Sequence, residues 1–302
     1  MAAPRLGFVG FGEAASRIAA GLRELGKDDC VAYDIAREDG VAGERIRRRA
    51  SETRVELVAS NAELMERCSI VFSLVTASSA LDAAKQNRPH LAASHLYVDG
   101  NSVSPARKCE IAEVIESAGG RFVEAAILAP VPKHHGQRVP MLVNGAHAEE
   151  LGHALGPLGF EMETLCGPFG TAAAVKVCRS IVVKGMEALL TECVLAASQF
   201  GADERVFASL QRSHPGIQWK ELANYMVNRV TVHGARRAHE MEEVAETLRA
   251  VGIDPIMAEA TARRQNWAAE LALASRFGPE GPKTYAEVIA ALSDVEKVTP
   301  ER

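Results

Sequence analysis

Short, dense apolar runs alternate with longer mixed stretches from Leu6 to Thr164, and then the runs stop. Leu6, Phe8 and Val9 form the first run, which reads as a buried strand. It breaks at Gly10-Phe11-Gly12-Glu13-Ala14-Ala15, and a helical spacing follows through Ile18, Ala19, Leu22 and Leu25 to a stop at Gly26. Val31-Ala32-Tyr33-Asp34 reads as a second strand, and further strands are predicted over 55–58, 69–75, 96–99, 121–125, 140–145 and 160–164. The run from Ser69 to Val75 is dense in β-branched and apolar residues, as in a central parallel strand covered on both faces. Helices are predicted between the strands, one capped by Asn61 and one opened by Pro105. This alternation implies an α/β fold with a doubly wound sheet.

Past Gly170 the strand signal is absent. Residues 172–200 read as one long helix that is apolar nearly all round, at Val175, Ile181, Val182, Val183, Leu189, Leu190, Val194 and Leu195. Such a helix has to be wrapped by other helices or by a partner chain, most simply in a two-fold homodimer. Further helices are predicted over 203–211, 219–232, 235–251, 255–277 and 284–292. Two domains follow, 1–170 and an all-helical 171–302, with the long helix as connector.

The first strand–turn–helix–strand unit carries a chemical signal. Gly10 allows a tight turn, Gly12 lets backbone approach a diphosphate, and Ala15 keeps the helix close to its strand. The turn residues Gly10, Phe11, Gly12, Glu13, Ala14 and Ala15 then offer free N–H groups at a helix N-terminus, which favours phosphate. Asp34 stands about twenty residues on, where a carboxylate accepts the adenosine ribose hydroxyls and repels a 2′-phosphate. A Rossmann-type domain binding NAD is the expectation. Arg37 offers a guanidinium to a 2′-phosphate, so NADP stays open beside it. Val75 and Thr76, closing the central strand, are further candidates to line the cofactor.

Composition narrows the class. Hydrophobic residues make up 47%, charged residues 24%, and the formal net charge is −5, which argues against a nucleic-acid partner. Arg45, Arg47, Arg48 and Arg49 bunch together, but Glu44 and Glu52 flank them, as on a solvated helix face. No apolar run is long enough for a bilayer, and strand residues begin at once where a signal peptide would lie. The six scattered cysteines form no C-x-x-C pair and are expected to be buried thiols, so a cytoplasmic enzyme is the expectation. His134 and His135 have no carboxylate–histidine cluster around them, and no metal is expected; a substrate contact or a surface pair remains, with Arg138 as another anion contact.

A nicotinamide domain joined to a helical one needs a group that takes and returns a proton. Lys176 is best placed, on the first turns of the long helix among Ala172, Ala173, Ala174, Val175 and Val177, where partial desolvation would lower its pKa. The alternative is an ordinary lysine snorkelling from an apolar helix.

Four blocks of the chain resemble the β-hydroxyacid dehydrogenases, the family of 6-phosphogluconate and 3-hydroxyisobutyrate dehydrogenases. Gly7 to Ala15 resembles its opening motif, and Asp99-Gly100-Asn101-Ser102-Val103-Ser104-Pro105 its D-x-S-T-x-x-P segment beside nicotinamide and substrate. Glu124-Ala125-Ala126-Ile127-Leu128-Ala129-Pro130 falls at the D-x-P-V-S-G-G substrate loop. Gly167 to Lys176 resembles the G-x-x-G-x-x-x-x-x-K stretch, which implies Lys176 as general acid/base. The resemblance further implies Asn101 and Ser102 as substrate contacts, Asn101 touching the cofactor as well, and Leu128, Ala129 and Pro130 as the substrate loop.

The departures are specific. Leu128-Ala129-Pro130 stands for Ser-Gly-Gly, and Pro130 has no N–H to offer a carboxylate. The asparagine one turn beyond the lysine is replaced; Ser180 shares that face, beside Arg179. The family's K-D-L falls on His239-Glu240-Met241, and Arg236 lies on the face of His239. That cationic pair points to an anionic small-molecule substrate, or else to surface ion pairs with Glu240, Glu242 and Glu243. The expected reaction is NAD(P)-dependent interconversion of a carboxylate-bearing 3-hydroxy or oxo acid. An imine reductase of the same architecture and a cofactor-binding protein without catalysis are the alternatives. The C-terminal pattern resembles a poorly characterised subgroup of the family.

Overall fold

The computed structural model describes residues 5–278 and 280–296. It divides between Lys176 and Val177 into two compact units.

In the first unit the chain runs β1 (Leu6–Val9), α1 (Glu13–Glu24), β2 (Val31–Tyr33), α2 (Gly40–Thr53), β3 (Glu56–Leu57), α3 (Asn61–Arg67) and β4 (Ile70–Ser73). It continues with α4 (Ala80–Asn87), β5 (Leu96–Asp99), α5 (Pro105–Glu116), β6 (Arg121–Ile127), β7 (Met141–Asn144), α6 (Ala148–Leu155) and β8 (Met162–Leu165). The strands form one sheet in the order β3-β2-β1-β4-β5-β6-β7-β8, parallel except where β7 runs against β6. Because side chains alternate along a strand, Phe8, Phe72 and Val98 enter one core while Val9, Val71 and Tyr97 enter the other. This is the doubly wound Rossmann-type architecture that the alternating pattern implies.

Local chemistry sets the helix starts. Ser60, not Asn61, caps α3 by accepting from the Glu63 N–H, and Glu63 accepts in turn from Ala59. Ser104 caps α5 in the same way, with Pro105 in its first turn.

Helix α7 (Thr171–Gln199) crosses the division between the units. The second unit continues with α8 (Asp203–Ser213), α9 (Trp219–Ala250), α10 (Ile256–Glu270) and α11 (Tyr285–Glu296). Two expectations are corrected. The helices predicted over 219–232 and 235–251 are one, α9. Gly234 costs about 1 kcal/mol of helix propensity, but a Cβ there would lie 2.5 Å from the Gln265 carbonyl, so the glycine lets α10 come close. The helix predicted over 255–277 ends at Glu270. Ala272 (φ 49°) turns the chain so that Leu273 enters the core with Leu190, Val194 and Phe207.

The cysteines also differ from expectation. Cys30 and Cys68 are buried, with burial pushing each thiol up to about 12, but Cys109, Cys166 and Cys178 are exposed on outward positions and Cys193 is half-buried. No described helix is long and apolar enough to cross a membrane.

Candidate active site

β1 and β4 are neighbours in the sheet although β2 and β3 lie between them in sequence, so the winding reverses there. In an open α/β sheet the crevice outside the carboxyl ends of such strands takes the ligand. Gly10 to Ala15, Asp34, Val75, Thr76 and Asn101 follow directly on the carboxyl ends of β1, β2, β4 and β5.

Gly10 sits at φ +82° with its N–H on the Tyr33 carbonyl, and a Cβ there would lie 2.7 Å from Val75 Cγ1 and 2.8 Å from the Leu74 carbonyl oxygen. The fold itself demands that glycine. Gly12 differs: nothing in the described protein lies within 4 Å of the place its Cβ would occupy. Gly12 is the N-cap of α1, and no side chain caps that helix. An uncapped helix start with open space over its glycine fits a diphosphate. Glu13 is turned to Arg17, an ion pair of 2.5 Å.

Asp34 closes the turn from the other side. Its Oδ2 accepts from the Phe11 N–H at 2.8 Å and its Oδ1 from the Ala36 N–H at 2.9 Å. Each oxygen keeps a lone pair for a ribose hydroxyl. Arg37 donates to the Val58 carbonyl, pairs with Glu38 and lies over the Tyr33 ring.

The segment after β5 is tied inward. Asn101 Oδ1 accepts from the Val75 N–H at 2.7 Å, and its Nδ2 donates to Ser73 Oγ at 2.9 Å. Asn101 is therefore buried, joining the ends of β4 and β5, and Ser102 is the residue the loop presents outward. Lys176, at the end of the first unit, donates to Ser102 Oγ at 2.6 Å. Thr76 is exposed, its hydroxyl bonded to Ser79. Leu128 packs with Ala126, Leu142 and Ala172, against the first turn of α7, and Ala129 and Pro130 are exposed.

Sequence reasoning missed the groups beneath this arrangement. Lys108, Asp99 and Glu124 are essentially unexposed. Lys108 Nζ donates to the Asp99 carbonyl at 2.7 Å, to Asp99 Oδ1 at 3.0 Å and to the Ala125 carbonyl at 3.2 Å. The signal was present in Phe122-Val123-Glu124-Ala125-Ala126, since a carboxylate inside an apolar strand must find partners.

The loop after Pro130 lies on α1. Arg17 donates to the Val131 carbonyl at 2.6 Å, and a Cβ on Gly136 would collide with the Arg17 backbone. His134 and His135 pair with Glu24 at the surface, and those histidines hold its carboxyl below the usual range against the opposing effect of desolvation.

In the second unit, Arg236 pairs with Glu240, and His239 pairs with Glu242 and Glu243. Each of these two side chains thus has a carboxylate partner on its own helix. Ser180 Oγ accepts from Lys184, whose Nζ also reaches Glu240 at 3.0 Å. Deeper, Glu187 accepts from Arg237 at 2.8 Å and from Gln265 at 2.9 Å, and burial raises its pKa despite the arginine.

Residues 5–149 match the NAD binding domain of 6-phosphogluconate dehydrogenase, and residues 197–268 match a domain of unknown function (DUF1932). A conserved hypothetical protein from Sinorhizobium meliloti is 34% identical in its solved structure, with 96% of each chain covered and a TM-score of 0.80. A conserved protein of unknown function, described as structurally similar to 3-hydroxyacid dehydrogenases, is 31% identical over 89% of this chain and 98% of its own, with a TM-score of 0.74. Mitochondrial 3-hydroxyisobutyrate dehydrogenase of Drosophila melanogaster is 24% identical over 223 residues, 72% of this chain but only 65% of that enzyme's length. A nicotinamide-binding oxidoreductase is what these matches and the glycine turn jointly support. The chain belongs to the β-hydroxyacid dehydrogenase family of 6-phosphogluconate and 3-hydroxyisobutyrate dehydrogenase-like proteins, in a branch whose helical C-terminal domain is of unknown function.

Proposed function

We propose that this chain is an NAD(P)-dependent dehydrogenase or reductase of small carboxylate-bearing 3-hydroxy or oxo acids, with Lys176 as its general acid/base. The supporting observation is the 2.6 Å hydrogen bond from Lys176 Nζ to Ser102 Oγ. It puts an amine and a hydroxyl together on the two segments that follow β5 and open α7. A bound nicotinamide supplies the hydride acceptor or donor. Lys176 takes the proton of the substrate hydroxyl as the carbonyl forms, and its ammonium returns that proton in the reverse direction. Ser102 orients the substrate through its hydroxyl, which donates once and accepts twice.

The lean toward NAD rests on Asp34 with Arg37 already engaged. A homodimer is part of the same reading: Val182 and Leu189, seven residues apart on α7, are 61% and 60% exposed in the single chain.

The test is a screen of short 3-hydroxy acids and their oxo counterparts with each nicotinamide, read by absorbance of the reduced cofactor. Turnover of a 3-hydroxy acid is expected. Turnover of cyclic imines alone would favour the imine reductase reading, and cofactor binding without any turnover would favour a non-catalytic one.

A further inference from the structure

Asp99 and Glu124 face each other in register on β5 and β6, and Glu124 is in register with Asn144 on β7. Both carboxylates are at 0% exposure, so each must be held by groups that come to it. What they hold differs. Asp99 Oδ1 accepts from the Asn101 N–H at 2.8 Å, and Lys108 donates to it and to the carbonyl beside it, which fixes the loop carrying Ser102. All three hydrogens of Lys108 are used in these bonds and the one to Ala125, so this lysine has no proton to offer a substrate.

Glu124 reaches the other way. Its Oε2 accepts from the Gly170 N–H at 2.8 Å and its Oε1 from the Ala173 N–H at 2.7 Å. These N–H groups flank the start of α7, where an α-helix has no internal acceptors, and a carboxylate there also meets the positive end of the helix dipole. Asn144 Nδ2 braces the arrangement, donating to Glu124 Oε2 at 3.3 Å and to the Pro168 carbonyl at 2.8 Å. Gly170, at φ +95°, lets the turn press on α5: a Cβ there would lie 2.9 Å from the Pro105 carbonyl. Lys176 stands less than one turn beyond Ala173 on the helix so anchored.

We propose that Glu124 is a positioning residue for Lys176: a strand carboxylate that caps α7 from outside the helix and sets the place of the Lys176 amine against Ser102. This rests on the proposed role of Lys176 and adds to it a residue that never touches the substrate. A side chain that merely stabilised the sheet would need no bonds to both Gly170 and Ala173. Two N–H donors on separate oxygens also explain why the charge matters, because a glutamine would turn an amide NH2 toward one of them.

The experiment compares wild type with Glu124→Gln. Lysines are reductively methylated with isotope-labelled formaldehyde, and the Lys176 resonance is assigned by its loss in Lys176→Arg. In wild type that resonance is expected apart from the pool of exposed lysines, and in Glu124→Gln it joins the pool. NADH affinity, read by fluorescence, is expected to stay within about twofold, as the glycine turn is untouched. With any substrate found in the screen, kcat should fall about tenfold or more while KM for the cofactor holds. If Glu124→Gln fails to melt cooperatively, Asn144→Ala, which removes the brace, is read in the same way. A Lys176 resonance that stays in place in the folded variant overturns the proposal, and so does one already within the exposed pool in wild type. Absence of turnover with every acid overturns the dehydrogenase reading instead, and the resonance still tests Glu124 independently.

Discussion

Lys176 Nζ and Ser102 Oγ lie 2.6 Å apart although seventy-four positions separate them in the chain. One stands in the first turns of α7 and the other on the segment between β5 and α5. A primary amine this close to an outward hydroxyl is within the reach that general acid/base transfer requires. Lys176→Ala is expected to lower kcat by about a hundredfold or more, with NADH binding unchanged in a fluorescence titration. Ser102→Ala should cost less, since it removes orientation and leaves the amine. Wild-type turnover in the lysine variant would remove Lys176 from the mechanism.

The two glycines of the turn separate fold from ligand. Gly10→Ala meets both a left-handed backbone and the Leu74 carbonyl, so it should destabilise by at least about 1–2 kcal/mol, seen as a lower denaturation midpoint. Gly12→Ala meets nothing in the described protein. Its melting should match wild type while NADH affinity falls about tenfold, near 1.4 kcal/mol. Equal cofactor affinity in Gly12→Ala would mean that no diphosphate lies over that position.

Cofactor choice can be read at Asp34. A carboxylate in contact with the Phe11 N–H shapes the turn, and under the proposed reading it would repel a 2′-phosphate. The ratio of NADH to NADPH affinity is expected to favour NADH and to narrow about tenfold, near 1.4 kcal/mol, in Asp34→Ser. An unchanged ratio, measured by paired titrations, would assign the discrimination elsewhere.

His233 gives the helical unit a pH dependence with a definite sign. Burial lowers its pKa to about 4, helped by Arg229, Arg236 and Arg237 and opposed by Glu240. The unfolded chain binds that proton near 6.5, so above this pH both states are neutral and the residue contributes nothing. As pH falls toward 4 only the unfolded state gains the proton, and stability drops. Glu187 acts oppositely, because its raised pKa lets the folded state take up a proton first. Midpoints measured through this window should fall less steeply in His233→Gln than in wild type. Parallel slopes would show that the imidazole titrates normally.

The exposed stripe on α7 bears on assembly. Light scattering at micromolar concentration is expected to give a dimer, and Leu189→Glu, at a position 60% exposed in the single chain, should shift it toward monomer. A monomeric wild type would require another explanation for Val182 and Leu189.

What the residues announced in advance was the repeating local chemistry. Gly10, Gly12 and Ala15 with Asp34 behind them could be placed because strand period, turn and helix period each show within a few neighbouring positions. Lys176 could be singled out as a charge at the head of an apolar helix and by the family resemblance, and its role is the proposal made above. The supports of the site were not legible, because Lys108 meets Ala125 and Glu124 meets Ala173 only after the sheet has formed. The break predicted between 232 and 235 is absent because what Gly234 serves, the nearby Gln265 carbonyl, belongs to a different helix. Asn101 was expected to face a substrate, whereas its amide is turned inward to Ser73 and Val75.

The seating of residues 131–138 on α1 has an evolutionary consequence. With Gly136 against the Arg17 backbone and the Arg17 side chain on Val131, this stretch cannot swing without dragging the helix that begins at the glycine turn. With the two joined in this way, a substitution on either side of the contact is felt by the other, so the loop and the helix are expected to change together.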